Sequence, residues 1–124
     1  MGIAEFSKIA RAQGALIVQA HPYRHGCTPA IACYLDGVEV INGNPRHNSR
    51  NDRAAEYAAE FGLVTTAGSD CHRTEDIGRA GLLANSLPSD SMQMSRLIRS
   101  RNYELFGDPA FHGGDGAPNH PSDH

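Results

Sequence analysis

Cysteine is scarce in this chain. Only Cys27, Cys33 and Cys71 occur, none forms a CxxC pair, and an odd number cannot pair completely. This argues against a disulfide framework and for free thiols in a reducing compartment. Long apolar runs are missing too: none approaches the roughly 18 residues of a membrane-spanning helix. The first residues lack the basic-then-apolar plan of a secretion signal, so the cytoplasm is the expected location. Nor is there a surplus of positive charge. Eleven Lys and Arg stand against 14 Asp and Glu, for a formal charge of −3 and a pI near 6.1. Nothing in that balance suggests general attraction to nucleic acid or to anionic lipid. No internal repeat is present.

What is there fits one domain. The chain has 124 residues, 40% hydrophobic and 20% charged, ordinary for a globular protein. A complete eight-unit α/β barrel needs about 250 residues, so a barrel-like reading must be of a partial barrel. The core has to come from residues 1–106. Residues 107–124, with glycine, proline and histidine and few apolar side chains, read as a disordered tail.

Along the chain the apolar pattern alternates between helix and strand. Ile3, Phe6, Ile9 and Ala10 suit one face of a helix over 3–12, stopped by Gly14. Ala15–Val18 is a short branched run, as a buried parallel strand requires, and Pro22 ends its pairing. Val38–Ile41 predicts a second strand, closed by the turn signal Asn42-Gly43-Asn44-Pro45. A helix over 53–61 ends at Gly62, and Leu63–Thr66 predicts a third strand. Ala80–Ala84 predicts a fourth. Ser89 or Asp90 caps a helix reaching about Arg101, with Met92, Met94, Leu97 and Ile98 on its buried side. Tyr103–Phe106 predicts a last strand. The order implies βα units around a sheet of three to five parallel-type strands with flanking helices.

Two of these strands end on residues with chemistry. His21 follows the first, and Asp70 and His72 follow the third. The carboxyl edge of a parallel sheet is where ligands collect, because the loops there converge on one face. An Asp-x-His leaving a strand can aim both side chains at one ion, and carboxylate oxygen with imidazole nitrogen suits Zn, Mn or Fe. Each piece also has a plainer reading: His-Pro as a turn, Asp-x-His as chance. Arg24 lies at the same edge, and a guanidinium grips phosphate oxygens through two parallel bonds. Asn42 and Asn44 either donate to a substrate or simply form the turn. Glu39 faces an interior or a neighbouring helix and is assigned no ligand role. Arg46, Arg50 and Arg53 read as a solvated loop and helix start; with no aromatics interleaved they make a poor nucleic-acid surface. His25 and His47 have no placed role. His112, His120 and His124 in the tail could bind stray metal without function.

Taken in order, Ala20-His21-Pro22, then Asp36-Gly37-Val38-Glu39-Val40-Ile41-Asn42, then Phe61-Gly62-Leu63 and Gly68-Ser69-Asp70-Cys71-His72 resemble the C-terminal half of the PHP (polymerase and histidinol phosphatase) family. The resemblance covers residues 1–106. It implies a distorted (β/α) barrel with a cluster of two or three metal ions that hydrolyses phosphomonoesters or phosphodiesters. On that reading the metal ligands are His21, Asp70 and His72, the last two forming the closing Asp-x-His. The substrate is a phosphorylated small molecule or nucleotide, steadied by Arg24 and Asn42. Metal would lower the pKa of bound water and neutralise charge on the phosphoryl oxygens. The family's opening His-x-His pair is absent from this sequence. The expectation is therefore a fragment, or a chain completed by a missing N-terminal half or a second copy. The alternative is a non-catalytic metal-binding or assembly module that keeps the fold, its open strand edges favouring a partner.

Overall fold

The computed structural model describes residues 1–107. The expected tail, Gly107 apart, lies outside the described residues. The elements run α1 (Ile3–Ala12), β1 (Val18–Gln19), β2 (Gly37–Asn42), α2 (Asn51–Phe61), β3 (Val64–Gly68), β4 (Gly81–Leu83), α3 (Ser91–Ser100) and β5 (Glu104–Phe106). Single 3-10 turns cover Ala32–Tyr34 and Thr74–Asp76.

The first three strands form a parallel sheet in the order β1-β2-β3. Its α/β character agrees with the sequence reading. The barrel does not follow: among the described residues no strand closes the sheet. β4 and β5 also depart from expectation. They pair with each other, antiparallel, in a separate two-stranded sheet. Residues 80–84 are too short a run to distinguish a parallel from an antiparallel partner, and Gly81–Leu83 pair with β5.

β1 is shorter than the apolar run that predicted it. The segment Ala15–Ile17 is held by other means: Ile17 N donates to Asp36 Oδ2 at 2.8 Å, and Ile17 O accepts from Asp36 N and Gly37 N. A carboxylate thus takes the place of a ladder acceptor. Of the run, only Ile17 is buried, since β1 is an edge strand of its sheet.

The core gathers Ile17, Leu35, Val38, Val40, Ile41, Ala54, Ala58, Leu63 and Ala80. Ala54 and Ala58 stand one helical turn apart, and their small side chains let α2 lie close on β2. Gly37 marks a similarly close approach: a Cβ there would meet the Val64 side chain and carbonyl at 2.5 Å. Gly62 ends α2 in the left-handed conformation, φ 65°, which glycine adopts without steric cost. Asp90 caps α3 by accepting from Gln93 N at 2.8 Å. The expected buried side of α3 is not buried. Met92 is 64% and Met94 42% exposed, and no residue of this helix is buried. Its amphipathic pattern finds no complete cover among the described residues. No helix there is long and apolar enough to cross a membrane.

Candidate functional site

Parallel register brings the carboxyl ends of β1, β2 and β3 to one edge, so His21, Asn42 and Asp70 leave the sheet on the same side. The pairing of β2 with β3 shifts between Glu39 and Ile41, leaving Val40 as an extra residue. In a regular strand residues three apart face opposite sides; one inserted residue turns them to the same side. Glu39 and Asn42 accordingly meet, Asn42 Nδ2 donating to Glu39 Oε1 at 2.8 Å. The same oxygen accepts from His21 N at 3.0 Å, tying β2 to the end of β1. Glu39 therefore holds the edge together, in keeping with the structural part its place in an apolar strand suggested. Burial pushes its carboxyl pKa up, against the opposing pull of the Asn42 and His21 hydrogen bonds.

Asn42 is 1% exposed and links three strand ends. Its backbone N–H donates to Asn51 Oδ1 at 3.1 Å, at the start of α2. Its side chain donates to Asp70 Oδ2 at 3.3 Å and accepts from Arg24 Nη2 at 3.0 Å. Arg24 is buried and held on one edge of its guanidinium: Nε and Nη2 donate to Ser49 Oγ at 3.2 and 2.9 Å, and Nη2 also donates to Asp70 Oδ2 at 2.9 Å. Burial pushes the Asp70 carboxyl up, but Arg24 and Asn42 outweigh it and hold the pKa below the ordinary aspartate value.

Asp70 and His72 face each other, Oδ1 to Nδ1, at 3.7 Å. His72 Nδ1 also lies 3.0 Å from Asp70 O and 3.3 Å from Asn44 Nδ2, while most of the ring is exposed. Asn44, 1% exposed, donates to Asp70 O at 3.0 Å. The turn reading of Asn44 holds as well, since its Oδ1 accepts from Arg46 N. His21 is paired elsewhere, its Nδ1 lying 3.6 Å from Cys27 Sγ. The structure thus unites Arg24, Asn42 and Asp70 directly, adds His72 beside Asp70, and reaches His21 through Glu39. His21 and Asp70 both have positive φ, 27° and 49°. Strained backbone of this kind costs about 1–3 kcal/mol per residue and gathers at functional sites.

Asp76 had no signal in the sequence reading. It is completely buried, makes an ion pair with Arg46, and accepts from His72 N and Arg73 N at 3.1 Å each. The Arg46 guanidinium beside it, aided by those two N–H groups, holds its pKa far below the usual carboxylate range. Arg46 is thereby a structural partner in the Asp70–His72 loop. Only contact across 30 residues reveals it.

These donors do not by themselves fit a resident metal. Among the described residues no group of three or more His, Cys, Asp or Glu side chains is placed to hold an ion. They stand in pairs, Asp70 with His72 and His21 with Cys27, and the shared carboxylate already carries a guanidinium.

A parallel sheet with polar and ionisable residues collected at its carboxyl edge is the class of structure in hand. A family model described as PHP-associated matches residues 48–93, so this stretch is similar to that family. The match takes in α2, β3, Asp70 and His72 and stops within α3. No curated protein and no solved structure matches the chain.

Proposed function

We propose that this chain supplies the C-terminal part of a PHP-type phosphoester-hydrolysing site, acting on a phosphorylated small molecule or nucleotide. The observation that carries the reading is the network at the sheet's carboxyl edge. Arg24, Asn42 and Asp70 are bonded to one another with His72 alongside, and both His21 and Asp70 sit in left-handed backbone. In this reading His21, Asp70 and His72 are one share of a divalent-metal ligand set, for Zn, Mn or Fe. The remaining donors come from another stretch of polypeptide. On the same reading Arg24 and Asn42 would steady the phosphate, each only after giving up its present bonds to Asp70.

A second reading is a non-catalytic module that retains the fold. The neutralised Asp70 and the absence of a three-donor group among the described residues favour it. Hydrolysis of p-nitrophenyl phosphate and bis-p-nitrophenyl phosphate with Mn²⁺ or Zn²⁺ separates the two. The chain alone is expected to be inactive. Joined to a PHP-family N-terminal half carrying the His-x-His strand, it is expected to turn over, and Asp70→Ala or His72→Ala should each lower that rate at least a hundredfold. No turnover in the joined protein would reject hydrolysis and leave the module.

A further inference from the structure

The carboxylate at the centre of the edge already has a cation of the protein's own. Arg24 Nη2 sits 2.9 Å from Asp70 Oδ2, and Asn42 Nδ2 approaches the same oxygen at 3.3 Å. Two donors on one carboxylate oxygen occupy its in-plane lone pairs. What remains, Oδ1, faces His72 Nδ1 at 3.7 Å. The guanidinium is not a loose surface group. Its side chain is 10% exposed, and it is anchored twice by Ser49 Oγ and once by Asn42 Oδ1.

We propose that Arg24 is a built-in counter-cation for Asp70 that competes with divalent metal, so that the chain by itself keeps this carboxylate closed to an ion. An ion that takes Asp70 Oδ2 must displace two hydrogen bonds and strand a buried guanidinium without its counter-charge, and one on Oδ1 must share the carboxylate's charge with that guanidinium. Leaving one partner of a buried pair unpaired is costly. With no three-donor group among the described residues to offset that cost, the guanidinium wins. If a complete donor set bound an ion at Asp70, Arg24 would lose this partner, and its fork would suit phosphate oxygens. The inference rests on reading Asp70 as a metal-facing carboxylate, and it does not require hydrolysis.

Mn²⁺ titration of the full chain, with free ion counted by electron paramagnetic resonance, tests it. His112, His120 and His124 are replaced by alanine throughout to silence the tail. Arg24→Gln is expected to bind Mn²⁺ at least tenfold more tightly than the parent. Arg24→Lys keeps the charge and should stay near the parent, and Arg24→Gln with Asp70→Asn should lose the gain. If circular dichroism shows Arg24→Gln unfolded, Ser49→Ala, which removes two anchors and leaves the charge, should give a smaller gain that Asp70→Asn again abolishes. Equal affinity in parent and folded variants, or tight Asp70-dependent binding by the parent, overturns the proposal. A metal gain in Arg24→Gln without turnover in the joined protein keeps the latch and removes the hydrolase. Turnover without that gain does the reverse.

Discussion

At the scale of single residues, Asp70 and Asp76 dominate the loop that follows β3, and both depend on an arginine distant in sequence. Asp70→Asn leaves Arg24 buried without its counter-charge. With Asp70 itself one-quarter exposed, solvent screening trims the cost of breaking a buried pair to roughly 2–3 kcal/mol, readable as a lower urea midpoint with unchanged m-value. For Asp76 the folded-state pKa is depressed, so its contribution is present above the unfolded value of 3.8 and is lost as pH falls through the folded value. The stability gap between the protein and Asp76→Asn should therefore be constant from pH 8 to about 5 and shrink below about 4. A gap independent of pH would show that Asp76 is not ionised in the fold. Neither pairing was legible beforehand. Asp70 stood out because it ends a strand in Asp-x-His, but the partner it chose lies 46 positions away. Arg24 read as a phosphate ligand by its place at the edge; that it also pairs with Asp70 inside the fold was not legible.

At the scale of elements, β2 is the hinge of the arrangement. Glycine at position 37 permits close pairing with β3, and the irregularity at Val40 turns Glu39 and Asn42 to one side. Gly37→Ala forces a methyl group onto the Val64 side chain and carbonyl, and overpacking of this kind costs about 1–3 kcal/mol. Gly62→Ala meets open space but keeps a positive φ, so its penalty should be about 1 kcal/mol. Thermal unfolding of the pair measures both, and a costlier Gly62→Ala would contradict the close β2–β3 approach. The helices were legible from their spacing and stops, α1 with its bounds and α2 to within two residues at its start. The strand irregularity was not, because an extra residue leaves no mark in a run such as Val38–Ile41.

At the scale of the whole molecule, burial is uneven. The core lies between α2 and the parallel sheet, while α3 has no buried residue and Ile3, Phe6 and Ile9 of α1 are exposed. Elements with few buried apolar contacts open at lower free energy than the core. Native-state hydrogen exchange should find the slowest amides in β2, β3 and α2, with α3 exchanging through local opening at least tenfold faster. Uniform protection across α3 and β2 would show that α3 is covered in solution.

Sequence alone determined the local order: which segments turn into helices, where glycine stops them, that Ser89 or Asp90 starts the last, and that His21 and Asp70 close two strands. Those features depend on neighbours a few residues apart. Tertiary structure alone decided which strands pair in parallel, that Asn42 turns toward Glu39, and that Arg24 rather than a third donor sits against Asp70. Those outcomes rest on contacts between groups tens of residues apart, where burial makes an unpaired charge costly and the nearest opposite charge becomes its partner.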